Sequence, residues 1–120
     1  MPNTNEPVER RKNKRLLVRE AAFVCFDASP AMMARIVDVS AGGLAFTYRA
    51  SKRRTGDLFA LEILCILYDI SLLAIPVRTI SDFETTVEGV RRCDVHFERL
   101  TEDQKHGIEQ FIDCCTTGEA

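Results

Sequence analysis

Two short groups of side chains in this sequence have the types and spacing to bind a ligand. One is the basic run Arg10–Arg15, in which Arg11 and Arg15 are spaced as RxxxR, and the other is Asp38–Gly43, spaced as DxSxxG. A guanidinium can form paired hydrogen bonds with a guanine or a phosphate, and a carboxylate accepts hydrogen bonds from donors on base edges. Each group also has an ordinary alternative: the first could be a solvated charged face, and the second a turn in which Asp38 and Ser40 cap backbone N–H groups.

Catalytic chemistry is poorly indicated elsewhere in the chain. The histidines His96 and His106 have no serine or cysteine at a recognisable spacing, and neither a phosphate-binding loop, a dinucleotide fingerprint nor a metal-ligand spacing occurs. Five cysteines form no CxxC pair, so we expect free thiols in a reducing, cytoplasmic compartment. We expect the adjacent Cys114 and Cys115 to lie at a fraying helix end. The sequence therefore predicts neither an enzyme nor a metal or cofactor site.

Charge is distributed unevenly along the 120 residues, whose formal net charge is −2. Residues 9–20 carry six basic and two acidic side chains, whereas the remainder carries 10 basic and 16 acidic ones. An acidic body with a basic start does not favour binding to nucleic acid. The most apolar run, Leu58–Ile75, is interrupted by Glu62 and Asp69, so no membrane span is expected.

The pattern of apolar residues predicts about six strands followed by one helix. Val90–Phe97 alternates, with Cys93 inward and His96 outward, and Thr101 with Gln104 forms the T-x-x-Q pattern of a helix capping box. Six short strands and one amphipathic helix indicate a mainly β domain, either a small antiparallel barrel or a sandwich, with the helix packed on it. The predicted strands are 16–26, 32–39, 44–48, 58–68, 70–80 and 90–97, and the predicted helix is 101–115.

These elements divide the chain into three parts. We expect a flexible arm at residues 1–15 that carries RxxxR, a folded body at 16–115, and a tail at 116–120. Arg35 precedes Asp38 by three residues, and by strand parity we expect it on the opposite face.

The order of the two motifs, the gap of about two strands between them and the barrel-plus-helix pattern resemble the PilZ domain, a bacterial receptor module for cyclic di-GMP. The resemblance runs from Arg10–Arg15 through Asp38–Gly43 to the strand ending CDVHFERL and the helix TEDQKHGIEQFI. It implies a six-stranded antiparallel β-barrel, split or Greek-key-like, with a C-terminal helix. It also implies a non-catalytic receptor whose ligand is cyclic di-GMP.

The resemblance assigns a role to each motif residue. Arg11 and Arg15 would face guanine Hoogsteen edges and phosphates, and Asp38 would accept from guanine N1–H and N2–H₂. Ser40 would bond the base or a phosphate, while Gly43 would allow a positive φ or a close approach to the ligand. For Arg10 two interpretations stay open: contact with a stacked ligand dimer, or one more exposed charge.

Binding would order the arm across the barrel mouth and so present a changed surface to a protein partner that the sequence does not identify. The alternative is a PilZ-like adaptor that binds proteins without nucleotide. The basic loop Lys52–Arg54 is interpreted as a solvated loop. The alternative is that it lies beside the ligand or a protein partner.

Overall fold

The structure of the chain is a computed structural model that describes residues 14–19, 21–26, 33–53 and 56–120. These residues contain the predicted mainly β architecture with one helix. In chain order, the elements are β1 (Leu16–Val18), β2 (Ala22–Cys25), β3 (Met33–Ser40), β4 (Gly43–Arg49), β5 (Leu58–Cys65), β6 (Ile70–Glu84), β7 (Val90–Phe97), α1 (Glu102–Cys115) and β8 (Thr116–Glu119).

Six strands close into an antiparallel barrel, which confirms the predicted fold. The strand order is β2-β5-β6-β7-β4-β3, and pairing between β2 and β3 closes the ring. β1 pairs with the C-terminal part of β3, along the edge whose N-terminal part pairs with β2, and β8 is added to β1. Among the described strands, the six of the ring each pair on both sides, and the short outer strands supply a sheet edge.

The predicted first strand is two strands in the structure. The backbone of Ala21 has a φ of 70°, in the left-handed region, and lies in the irregular segment between β1 and β2, both of which pair antiparallel with β3. The carbonyl of Ala21 accepts a hydrogen bond from the N–H of Ile66 at 3.1 Å, which holds the break in place. Alanine rarely adopts this conformation, so the residue type gave no signal for the break.

The barrel interior follows the alternation of apolar residues in the sequence. Phe46 and Tyr48 of β4 are buried, as are Cys93 and Val95 of β7, whereas His96 is exposed as predicted. Phe46 and Tyr48 also pack against Phe26, with ring centroids 5.2 and 5.4 Å from that ring. These contacts hold the Phe46 and Tyr48 face of β4 in the core, so its other face points outward.

Pro76 lies inside β6, a strand that is paired on both sides rather than at an edge. Its carbonyl accepts from the N–H of Glu98, and the β6–β7 ladder starts only at the next residue, Val77, opposite Phe97. A residue's N–H and C=O point to the same side of a strand, so the missing N–H of Pro76 faces the end of the ladder, where it removes no strand-to-strand bond.

The helix begins at the predicted capping box. The Thr101 hydroxyl accepts from the N–H of Gln104 at 3.1 Å, and the Gln104 side chain accepts from the N–H of Thr101 at 2.9 Å. Ile108, Phe111 and Cys115 form the buried face and join the same core as the barrel residues. Burial of this stripe holds α1 on the barrel.

Residues 116–119, within the expected tail, form β8, and α1 continues through Cys115. β8 pairs with β1, with Leu17 opposite Gly118. Cys115 is fully buried, and its Sγ lies 2.7 Å from Sγ of Cys65. Both thiols are free, and burial raises the pKa of Cys115 to about 12, so this thiol stays protonated in the core.

Candidate functional site

A β-bulge in β3 determines which side chains share a face with Asp38. Arg35 is opposite Thr47 of β4 and Asp38 is opposite Ala45, so Val37 is the extra residue. Directly opposed residues share a face, as do residues two apart on one strand, so Arg35 and Asp38 both lie on the outer face. The parity argument that placed Arg35 on the other face is wrong, because a bulge shifts the alternation by one residue.

The two sequence motifs meet at Asp38. Nη1 of Arg15 donates to Oδ1 of Asp38 at 2.8 Å. The Asp38 side chain is 7% exposed and that of Arg15 is 22% exposed, so the ion pair is largely removed from water. The pairing of β1 with β3, in which Leu17 is opposite Asp38, carries Arg15 to this position. The second arginine of RxxxR and the aspartate of DxSxxG therefore belong to one site.

A second arginine, which the sequence analysis did not single out, holds the other oxygen of Asp38. Nη2 of Arg92 on β7 lies 3.1 Å from Oδ2 of Asp38 and 3.1 Å from Oδ1 of Asp94. Asp94 also accepts from the hydroxyl of Ser81 on β6 at 2.9 Å. Hydrogen bonds to Asp94 raise the pKa of Arg92, which keeps the guanidinium charged. The outward parity of β7 could have indicated Arg92, but its nearness to Asp38 depends on strand order.

Ser40 is the last residue of β3 and bonds the backbone of the turn that leads into β4. Its Oγ accepts from the N–H of Gly42 at 3.2 Å and donates to the carbonyl of Gly43 at 3.4 Å. Asp38 makes its side-chain bonds to arginines. Ser40 thus has the turn-capping contacts of the ordinary alternative, while Asp38 is held across strands.

Gly43 is required by the close packing of β4 on β7. It is not among the described residues with a positive φ, and a Cβ at this position would collide with the backbone carbonyl oxygen of Val95. Of the two alternatives stated for Gly43, the positive φ does not hold, and the close approach to a ligand stays a prediction. The absence of a side chain lets two strands approach where β4 begins.

The remaining sequence candidates are the two arm arginines before Arg15 and the basic loop. Arg10 and Arg11 lie outside the residues that the structure describes, as does Arg54 of the basic loop. In that loop, Lys52 is exposed, and Arg53 pairs with Asp57 at 3.0 Å while both side chains remain largely exposed.

The arrangement presents a carboxylate and several N–H donors at one outer surface. Asp38 can accept from a ligand because each carboxylate oxygen has two lone pairs. Arg15 retains N–H groups beyond the one that bonds Asp38. Such a combination suits a ligand that carries both anionic groups and base-edge donors.

Other chemistries find little support in the described part of the chain. No three metal-capable side chains come together there. Among the same residues, no helix has the length and apolar character needed to cross a membrane. His96 is exposed, and its Nδ1 lies 3.4 Å from the carbonyl oxygen of Gly42. The polar cluster at Asp38 is thus the candidate site with the most converging side chains.

Comparison with protein families identifies the domain. The model of the family described as "PilZ domain" matches residues 9–114, a span that includes both motifs. The chain belongs to the PilZ domain family. This PilZ domain has no significant sequence match among curated proteins.

Solved structures share its fold at low sequence identity. The PilZ domain of YcgR from Escherichia coli, solved with c-di-GMP, has a TM-score of 0.69 at 18% identity, covering 87% of this chain and 89% of that one. The K. pneumoniae MrkH complex with c-di-GMP has a TM-score of 0.67 at 16% identity, covering 86% of this chain and 51% of that one. MrkH in its apo state has a TM-score of 0.63 at 14% identity and covers 93% of this chain and 50% of MrkH. This PilZ domain thus spans about half of MrkH.

Proposed function

We propose that this PilZ domain is a non-catalytic receptor for cyclic di-GMP. The observation that carries the proposal is the contact between Arg15 and Asp38, because it joins the two motifs in one outward-facing site. Two structures with the same fold, of YcgR and MrkH, are described as c-di-GMP complexes. The ligand's two phosphates and two guanines match the donors and the acceptor gathered here.

Each motif residue has a role in this proposal. Arg15, together with Arg11, binds guanine Hoogsteen edges and phosphates through paired N–H donors, and Asp38 accepts from guanine N1–H and N2–H₂. Ser40 and Gly43 act at the turn. Ser40 bonds the ligand in addition to the turn backbone, and Gly43 allows the backbone to lie close to the ligand. Arg10 is assigned to a second, stacked ligand molecule.

Isothermal titration calorimetry tests the proposal. Cyclic di-GMP should bind saturably, whereas GTP and cyclic di-AMP, titrated under the same conditions, should bind far more weakly. A stoichiometry of two ligands per chain that falls to one in Arg10→Ala would support the stacked dimer. Absence of saturable binding by cyclic di-GMP would overturn the receptor function and favour an adaptor that binds proteins without nucleotide.

The proposal includes ordering of the N-terminal arm, residues 1–15, over the site. Arg15 is the last arm residue, and its carbonyl accepts from the N–H of Ala120 at 2.9 Å, which fixes the arm's base beside β8. Ligand bridging Arg11 and Arg15 to Asp38 would draw the arm onto the barrel and change the surface that a protein partner meets. We place the receptor in the cytoplasm, where its five free thiols stay reduced.

Limited trypsin digestion read by mass spectrometry tests the ordering. At a hundredfold excess of cyclic di-GMP over its Kd, linkage stabilises the ligand-bound arrangement by about 2.7 kcal/mol, so cleavage after Arg10, Arg11 and Lys12 should slow about a hundredfold. Cleavage at the exposed Lys52 serves as the reference. Equal arm cleavage with and without ligand, under saturation confirmed by calorimetry, would contradict ordering of the arm.

A further inference from the structure

Arg92 connects the candidate ligand-reading carboxylate to the barrel wall. Its guanidinium bonds Oδ2 of Asp38 on β3 and both oxygens of Asp94 on its own strand, at 3.1 to 3.3 Å. Asp94 is held in turn by Ser81 of β6. The bonds therefore run from β6 through β7 to β3 and involve only strands of the closed barrel.

Arg15, the other partner of Asp38, is attached differently. It precedes β1, a strand of three residues outside the closed ring. Nη1 of Arg15 donates a hydrogen bond to Oδ1 of Asp38. The function proposed above, however, requires Arg15 to donate to the ligand. If Arg15 turned toward a phosphate, the Asp38 carboxylate would keep only Arg92 among its observed partners.

That remaining contact matters because the Asp38 side chain is only 7% exposed. Leaving such a poorly hydrated carboxylate without a partner costs free energy. An unpaired Asp38 carboxylate would also be free to rotate, so its oxygens would not keep one orientation. Arg92 remains charged, since hydrogen bonds to Asp94 raise its pKa. With Oδ2 held by Arg92, the free lone pairs of Oδ1 keep one orientation toward the outer face.

We propose that Arg92 is a positioning residue of the nucleotide site, which acts by holding the Asp38 carboxylate in the orientation that reads guanine. This inference rests on the proposed function. Arg92 contributes through Asp38 and makes no contact with the ligand of its own. Its loss should therefore impair recognition of the base more than attraction of the phosphates.

A double-mutant cycle measured by calorimetry tests this role. Arg92→Gln should raise the Kd for cyclic di-GMP about tenfold, and Asp38→Ala should raise it at least as much. In the Asp38→Ala background, Arg92→Gln should cause no further change. Arg92→Lys should give an intermediate Kd, because an ammonium can bond Asp38 but lacks the planar fork that bonds Asp94 at the same time.

Selectivity gives a second readout that a purely structural role would not change. Arg92→Gln should reduce the preference for cyclic di-GMP over cyclic di-AMP by about the same factor as Asp38→Ala, because adenine lacks the N1–H and N2–H₂ donors. Arg99→Gln is the charge-matched control: Arg99 is exposed and follows the end of β7, so its loss should leave both values unchanged. Thermal unfolding of each variant establishes that it is folded before titration.

Three results would overturn the inference. Wild-type affinity in Arg92→Gln would show that Asp38 needs no support, and an equal loss in the presence and absence of Asp38 would show that Arg92 acts independently of it. If Arg92→Gln does not fold, the cycle is run with Arg92→Lys. A loss of affinity of equal size in the wild-type and Asp38→Ala backgrounds would then contradict the role. Failure of the wild-type protein to bind cyclic di-GMP overturns the proposed function as well, whereas the other results leave that function standing.

Discussion

Asp38 is a nearly buried carboxylate whose charge is compensated from two directions. Arg15 reaches it from the residues before β1, and Arg92 reaches it from β7. Two guanidiniums around one carboxylate leave a local excess of positive charge, which Asp94 balances. The geometry of the donors, and not only the charge, is therefore expected to decide what this site binds.

Replacement of Arg15 by lysine separates charge from geometry. A lysine keeps the positive charge but lacks the planar fork that forms paired bonds with guanine or phosphate. Arg15→Lys should therefore weaken cyclic di-GMP binding nearly as much as Arg15→Ala, by roughly 1 to 3 kcal/mol in each case. Calorimetry measures both, with Arg99→Lys as the control for an arginine outside the site. Near-wild-type affinity of Arg15→Lys would show that charge alone suffices.

Gly43 is the position where strand packing excludes a side chain. A Cβ there would collide with the carbonyl oxygen of Val95, and backbone cannot move aside as a flexible side chain can. Gly43→Ala should therefore destabilise the fold by about 3 kcal/mol, measured as the free energy of unfolding in denaturant. Gly118 of β8 is the matched control, because a Cβ at that strand position meets nothing within 4 Å.

The two outcomes for Gly43 have different meanings. If Gly43→Ala unfolds as easily as predicted, any loss of ligand binding in that variant reflects the β4–β7 contact. If its stability equals that of Gly118→Ala while binding is lost, the glycine serves the ligand and the packing explanation is incorrect.

Among the secondary-structure elements, those defined by local chemistry were predictable and those defined by pairing were not. The alternation in β7 and the capping box of α1 are written in neighbouring residues, and the structure confirms both. The bulge at Val37 and the left-handed backbone of Ala21 occur at residues that are neither glycine nor proline, so the sequence does not indicate them. Both arise because β3 must pair with β1, β2 and β4, a long-range demand that local propensity does not encode.

The candidate site divides in the same way. Asp38, Ser40 and Gly43 could be found from their spacing, because a turn fixes their relative positions. Arg92 is 54 residues from Asp38 in the sequence and becomes its neighbour only through the order of β3, β4 and β7. The register of a sheet thus decides which charged residues meet, and no single strand contains that information.

The start of α1 offers a test of local chemistry at the scale of an element. Thr101 and Gln104 satisfy two backbone N–H groups reciprocally, and these bonds are exposed to solvent. Thr101→Ala should cost about 1 kcal/mol of unfolding free energy, measured by chemical denaturation. Thr86→Ala, in the exposed connection between β6 and β7, should cost much less. Equal effects of the two substitutions would mean that the cap does not stabilise the folded domain.

At the scale of the whole molecule, the first and last described strands, β1 and β8, pair with each other beside the candidate site and extend the sheet beyond β3. β1 has β3 on one side and β8 on the other, with Leu16 opposite both Val39 and Glu119. Two further backbone bonds extend the pairing, from the N–H of Arg19 to Cys115 and from that of Ala120 to Arg15. Residues 116–119 are polar, so their sequence does not indicate a strand. They lie at the surface and are ordered by pairing with β1 rather than by burial of apolar side chains.

Removal of most of β8 should therefore loosen the strand that positions Arg15. A chain that ends at Thr116 loses the partners of Leu16 and Leu17 on β8, so the three-residue β1 keeps its pairing with β3 and the single pair of Val18 with Thr116. Its backbone amides should exchange with solvent faster, as seen by hydrogen exchange with mass spectrometry, while those of β5 and β6 keep their protection. Cyclic di-GMP affinity should fall because ordering β1 then becomes part of the free energy of binding. Faster exchange with unchanged affinity would show that Arg15 does not need a preformed β1, and unchanged exchange would show that β8 contributes nothing to holding it.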